Sequence, residues 1–396
     1  MKKNLLMLVC AVVATTASAQ YYQDAVNKEM LHITTPRTTQ RVEFSVPSVD
    51  GYTAYKADLH THTIYSDGAV TMAERVREAW YDGVDVMAVT EHLEYRPRET
   101  MMVEYLAKYM PANTKAKDNS FVSKNRPESG DAIMVDLNYP VKDALKCAKA
   151  FPITIIPGIE ITRKEEGWYS HFNALFTTDN NTIYDPDALQ SLRNAKAQNA
   201  LILHNHPGWR HLDLELTSFE KKAYKAGVID GIEIMNGVEF YPRAIDRAFK
   251  YNLFVSSNTD VHAGTERYSK TGAFRNLTII FAKGRSLASI REALEAHRTL
   301  AYSFGTLAGS EELLRKVFEG AVKIADAGED GKGEKQIILT NNSSLEWLIA
   351  REGKRMDILK PHSSILITLS SSQSNDLIIK NAWYGEGKNL VYNLNL

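Results

Sequence analysis

Two histidines, His60 and His62, stand two residues apart at the end of the run A-D-L-H-T-H, and an acid, Asp67, follows in S-D-G. Side chains alternate along a strand, so both imidazoles would turn to the same side. An H-x-H pair alone is weak evidence, but other short apolar runs close on the same residue types. V-T-E-H ends in His92, P-G-I-E in Glu160, L-H-N-H-P in His206, and N-T-D-V-H in Asp260 and His262. His171, in W-Y-S-H-F-N, comes before its expected strand. These nine nitrogen and oxygen donors, with no cysteine among them, describe a multinuclear site for borderline or hard divalent ions. Without metal, burial of so many imidazoles and carboxylates would leave several unpaired. His204 has the strand parity to face the same way as His206, so the choice between them is open on parity alone. Glu91, beside His92, should point to the opposite face and orient helices. His32, His211, His297 and His362 lie outside the pattern.

Elements that could bring these positions together alternate from Lys56 to about Tyr302: short β-rich runs, then helical stretches, the signature of a parallel α/β architecture. Seven strands are expected, in K-A-D-L-H, D-V-M-A-V-T, I-T-I-I-P-G-I-E, F-N-A-L-F, A-L-I-L-H-N, G-I-E-I-M-N and L-F-V-S-S-N-T-D. Strand ends of such a barrel converge on one mouth. Thr71 with Glu74 and Thr217 with Glu220 read as capping boxes, and Gly83 and Gly227 as helix-ending glycines. The domain reading is a signal peptide over 1–19, a lead-in over 20–55 with one strand in R-V-E-F-S-V, a barrel over 56–305, and a β-sandwich of immunoglobulin-like size over 306–396. Ala112 to Asp131 reads as a polar insertion that could cover the site.

Met1-Lys2-Lys3, the apolar Leu5 to Ala14 and Ala17-Ser18-Ala19 have the layout of a secretory signal, so the mature chain is expected to be periplasmic or secreted. No segment reaches the roughly 18 apolar residues of a transmembrane span. Cys147 would be the one mature cysteine, in a helical pattern, which excludes an internal disulfide and favours a packing role. Without the leader the chain carries 45 basic and 48 acidic residues and no basic stripe, so duplex nucleic acid is not expected as a partner.

Taken together, D-L-H-T-H-T with S-D-G, T-E-H, G-I-E, H-F, H-P and T-D-V-H, in this order over residues 55–305, resemble the polymerase and histidinol phosphatase (PHP) family of metal-dependent phosphoesterases. The resemblance implies a distorted seven-stranded β/α, TIM-like barrel and two or three divalent ions, zinc, manganese or iron. It implies that His60, His62, Glu160 and Asp260 hold one ion, that Glu160 bridges to a second held by His171 and His206, and that Asp67, His92 and His262 hold a third. The family's histidine directly precedes proline, which favours His206 over His204; Asp67 stands where other members carry histidine. The expected reaction is hydrolysis of a small phosphomonoester or phosphodiester by hydroxide held between two ions. Glu160, His206 and Asp260 are the catalytic candidates, with Arg275 as a cation for the developing charge; Arg163, Lys164 and Arg267 are further cationic candidates. A metallohydrolase of a non-phosphate ester or amide, or a non-catalytic glycan- or protein-binding chain, are the alternatives. Trp168, Tyr169, Trp209 and Arg210 flank ligands and could stack on a leaving group or simply pack.

Overall fold

The structure, a computed structural model, describes residues 21–23, 27–33, 41–98, 136–265, 275–369 and 374–394. The segment read as an export signal, the 112–131 insertion and Arg267 lie outside the described residues. The chain forms two compact units, Met1–Arg41 and Val42–Leu396. In the first, β1 (Tyr21–Gln23) pairs antiparallel with β2 (Leu31–Ile33). In the second, the expected strand at R-V-E-F-S-V is absent; that stretch is irregular and packs Phe44 into the core.

The second unit opens with β3 (Thr53–Asp58), α1 (Met72–Tyr81), β4 (Val86–Ala88), α2 (Tyr139–Cys147) and β5 (Thr154–Ile156). These three strands run parallel. Thr71 caps α1 and Gly83 takes a positive φ after it, as the sequence predicts. Cys147 ends α2 half-buried. Pro157 then splits the I-T-I-I-P-G-I-E run, because proline offers no N–H to a ladder. Beyond it β6 (Gly158–Glu165) turns at Glu166-Gly167, both at positive φ, into β7 (Trp168–Leu175). This hairpin is antiparallel, where a parallel unit is expected, and β7 starts early enough to contain His171.

Next come α3 (Ala188–Ala197), β8 (Leu201–His204), α4 (Ser218–Lys225), β9 (Gly231–Asn236), β10 (Glu239–Phe240), α5 (Pro242–Tyr251) and β11 (Phe254–Asn258). Thr217 and Glu220 form the full capping box of α4. β8 is antiparallel to β7, whereas β8, β9 and β11 are mutually parallel. Gly231 is required where it stands: a Cβ there would lie 2.3 Å from the Phe254 ring. β12 (Leu277–Ala282), α6 (Leu287–Glu295), β13 (Thr299–Ser303) and β14 (Thr306–Gly309) follow, with β12 antiparallel to both β3 and β13.

Among the described residues strands β3 to β14 fall into two sheets, whose ladder hydrogen bonds do not close a single seven-stranded ring. The sheets approach at two isolated parallel bridges, His92 to Glu160 and Thr61 to Val261, each in or beside a candidate ligand motif. Between them lies an apolar layer that includes Ala57, Leu59, Ala88, Ile156, Leu203 and Phe254, with Ile290, Ala293 and Leu294 from α6. At about 25 cal/mol per Å² of apolar surface removed from water, such a layer gives the polar cluster above it a rigid floor.

The C-terminal part holds α7 (Glu311–Ala321), β15 (Val322–Glu329), β16 (Lys335–Asn341), β17 (Trp347–Ala350), β18 (Asp357–Leu359), β19 (Ser364–Thr368), β20 (Leu377–Gly385) and β21 (Lys388–Tyr392). β15, β16 and β19 make one small sheet. β20 carries β17 and β21 and also pairs with β14, so this β region continues the first sheet across residue 305. Phe318 of α7 meets Trp347 edge-on, with ring centres 5.1 Å apart, inside the shared core. No helix among the described residues is long and apolar enough to cross a membrane.

Candidate metal centre

His60 and His62 follow β3 immediately, and strand alternation sends both imidazoles upward from the apolar layer. Their Nε2 atoms lie 3.1 Å apart. Asp260, in the turn after β11, places Oδ1 3.2 Å from His60 Nε2 and 3.1 Å from His62 Nε2. Glu160, on β6, adds Oε1 at 3.2 Å from His60 and Oε2 at 3.4 Å from His62. Donors on a tetrahedron with bonds of about 2.0–2.1 Å are about 3.3 Å apart, so the spacing of His60, His62 and Asp260 matches part of a single ion's ligand shell, with Glu160 beside it.

The same carboxylate reaches further. Glu160 Oε1 is 3.1 Å from His171 Nδ1 and 3.8 Å from His206 Nε2, and Oε2 is 2.8 Å from His92 Nδ1. On the far side Asp67 Oδ2 stands 3.2 Å from His262 Nε2 and 3.5 Å from His92 Nε2, with Oδ1 3.7 Å from His62 Nδ1. All nine expected donors therefore meet in overlapping groups, each with its donor atoms within 4.8 Å of one another. His171 Nε2 is buried with no hydrogen-bond partner among the described residues. An orphaned nitrogen in a cluster of acidic oxygens and imidazoles fits a site built for cations.

Electrostatics point the same way. Burial alone would suppress the charge of His60, but Asp260, Glu160 and Glu233 outweigh it and raise its pKa well above the usual histidine range. Glu160 is held ionised against its burial chiefly by His92, His60 and His171. Burial lowers His171 to about 4 despite Glu160, which leaves it neutral and able to coordinate.

Support comes from residues that spacing did not reveal. Glu233, fully buried on β9, accepts from His60 Nδ1 at 3.0 Å, His206 N at 2.7 Å, Asn258 Nδ2 at 2.8 Å and Asn236 Nδ2 at 2.8 Å. By engaging Nδ1 it leaves His60 Nε2 to face the donor cluster, where a metal ion would bind. Its signal was a carboxylate inside the all-buried strand G-I-E-I-M-N. Asp58 accepts from Thr259 Oγ1 at 2.6 Å and steadies the Asp260 turn. Asn205 Nδ2 donates to Glu160 Oε1 at 2.8 Å. Arg75, buried on α1, ties the two ligand loops together through the carbonyls of His62, Val261 and Ala263. Both His206 and Asp260 hold positive φ, 22° and 50°, backbone strain of the kind found at functional sites.

Other expectations are corrected. Arg275 is buried and ion-paired with Asp58 and, at 2.8 Å, with Asp82, so its charge is spent on a structural carboxylate beneath the ligands rather than offered to a substrate. Arg163 sits 3.0 Å from Glu94 and donates to Asp185 O and Ser191 Oγ. His204 turns away from the cluster: it meets Tyr224 Oη at 2.9 Å and Glu220 Oε1 at 3.2 Å, and stacks on Phe172. Glu91 holds the Thr63–Ser66 turn, accepting from both hydroxyls at 2.5 Å, instead of orienting helices.

A mixed α/β fold that gathers histidines and carboxylates above an apolar layer defines the class: an α/β protein whose donor cluster suits divalent metal ions. The PHP domain model matches residues 58–344, and the chain belongs to the PHP family. A two-domain protein of Bacteroides vulgatus containing a predicted PHP-like metal-dependent phosphoesterase is similar over 91% of this chain and 100% of its own, at 30% identity and a TM-score of 0.76. A metal-dependent phosphoesterase of Bifidobacterium adolescentis aligns over 54% of this chain and 90% of its own, at 14% identity and a TM-score of 0.36. A lesion-specific endonuclease of Pyrococcus furiosus aligns over 65% and 59%, at 17% identity and a TM-score of 0.39. Likenesses as slight as these last two transfer no substrate to this chain. No curated protein matches the sequence.

Proposed function

We propose that the chain hydrolyses a small phosphorylated substrate, a phosphomonoester or phosphodiester, at a centre of two or three divalent ions. The observation that carries this reading is Glu160: Oε1 faces His60, His171 and His206 while Oε2 faces His62 and His92, so one carboxylate could serve more than one ion. Bound ions of the zinc, manganese or iron kind would supply positive charge for the non-bridging phosphate oxygens and lower the pKa of water. The chain's own part is geometric. His60, His62 and Asp260 would hold one ion, Glu160 with His171 and His206 a second, and Asp67, His92 and His262 a third. Glu233 and Asn205 keep His60 and Glu160 from rotating. The His262 and Asp260 side chains are 40% and 21% exposed while His60 and Glu160 are sealed, so an ester would approach from the His262 side. Water adds to phosphorus, the ester P–O bond breaks, and the alcohol leaves with a proton.

The test is release of alcohol from generic phosphomonoesters and phosphodiesters by the manganese- or zinc-loaded protein, with His60→Ala as control. Turnover lost in the variant supports the reading; wild-type rates in the variant refute it. Export, read from residues 1–19, belongs to the same proposal and predicts a mature N-terminus at Gln20.

A further inference from the structure

With Arg275 and Arg163 committed to carboxylates, the cations near the centre are found elsewhere. Trp209 lies against two candidate ligands, its ring centre 5.2 Å from His171 and 5.5 Å from His206. The Arg210 guanidinium stacks over Trp209 at 4.4 Å and lies 5.9 Å from the Tyr169 ring, over which Lys164 Nζ stands at 5.0 Å. Both cations are exposed, and among the described residues neither has a carboxylate partner. Nearby acids are engaged otherwise: Glu165 lies 3.6 Å from Lys222, Glu166 accepts from Ser218, and Glu215 is held by Arg243. Arg210 also takes a left-handed φ of 56°, an uncommon conformation for a long side chain.

A guanidinium seated over an indole face still presents N–H donors to solvent, and the contact restricts its rotamers before any ligand arrives. Two like charges held on one aromatic base, without counter-charges, are matched by an anion. We propose that Lys164 and Arg210, seated on Tyr169 and Trp209, form a subsite for a second anionic group on the leaving-group side of the substrate. The favoured substrates are thus phosphate esters whose alcohol carries another phosphate or a carboxylate. This rests on the phosphoesterase reading of the adjacent centre.

Phosphonates test it without turnover, because their C–P bond is not cleaved by ester hydrolysis. Calorimetry on the manganese-loaded full chain would compare butylphosphonate with 4-phosphonobutyrate and butane-1,4-bisphosphonate. About tenfold tighter binding of a doubly anionic probe is expected, lost in Arg210→Ala, reduced in Lys164→Ala and partly kept in Arg210→Lys. The stronger of the two probes identifies carboxylate or phosphate as the second anion. Equal affinity for all three, or a preference that survives Arg210→Ala, would overturn the subsite while leaving the hydrolase reading intact. An Arg210-dependent preference in a protein that turns over no ester would keep the subsite and remove the hydrolase.

Discussion

Replacing Glu233 by glutamine probes the support of the centre without altering a candidate ligand. The carboxylate takes four hydrogen bonds, two at each oxygen: His60 Nδ1 and Asn258 Nδ2 at Oε1, His206 N and Asn236 Nδ2 at Oε2. Glutamine keeps the shape but puts an amide NH2 where one oxygen was, so two donors then face a donor. In a site where Glu233 and His60 are both sealed from water, each unsatisfied donor costs about 1–3 kcal/mol. Partial rotation of the amide and of Asn236 or Asn258 recovers some of this. A net loss of about 1.4–2.8 kcal/mol in the energy that holds His60 in place corresponds to about 10- to 100-fold weaker metal binding. Competition with a chromogenic chelator would measure the affinity, and far-ultraviolet circular dichroism would confirm the fold. A folded Glu233→Gln protein with wild-type metal affinity would refute the argument that this carboxylate orients His60.

His206→Ala should reduce turnover to background at saturating metal, because it removes a donor to the Glu160–Asp260 group; wild-type turnover would exclude the assignment. Asp67→Asn should lower the bound metal by one equivalent in elemental analysis while the other ions stay, since Asp67 joins His62, His92 and His262 but not His171 or His206. Removing the ions with a chelator should lower the melting temperature, and re-addition at 100 times Kd should restore about 2.7 kcal/mol. Glu220 gives an acid-sensitive contact away from the centre: burial opposes its ionisation, but His204, Thr217 and Ser170 outweigh it and draw its pKa down to about 2. A carboxylate with a depressed folded pKa stabilises above its usual value and loses that stability as pH falls toward the folded value. The difference in stability between the wild type and Glu220→Gln should therefore shrink between about pH 4.5 and 2; a pH-independent difference would sink this account.

Ligand positions were legible because coordination chemistry restricts the residue types and strand ends restrict the places. His60, His62, His92, Glu160, His206 and Asp260 could be read from the ends of apolar runs, and the structure brings them together. The hairpin of β6 and β7 was less legible: Glu166-Gly167 is a two-residue turn, and the apolar pattern of F-N-A-L-F gives no sign that the strand begins at Trp168. Arg275 was misjudged because sequence shows a cation near a motif but not the buried Asp58 that claims it. Glu233 escaped notice because a lone acid within an apolar strand looks the same whether it supports a metal ligand or only a helix. Strand pairing across the chain, such as β14 with β20, depends on partners 75 residues apart and leaves no local pattern.

That last pairing bears on how the molecule is made. β14 bonds to β13 on one side and, through Leu307 with Ala382 and Ala308 with Trp383, to β20 on the other. While the chain is being synthesised, the residues of the metal centre are complete by His262, yet β14 remains an open edge until residues 377–385 have emerged. An open edge can recruit strands from other chains. A fragment ending near residue 305 would lack β14 and β20 together and leave β13 bare, so it is expected to aggregate rather than behave as a free-standing catalytic module. For the same reason the full chain should lose its α/β and C-terminal β parts in one melting transition, β20 serving as the latch that makes early and late segments a single cooperative unit.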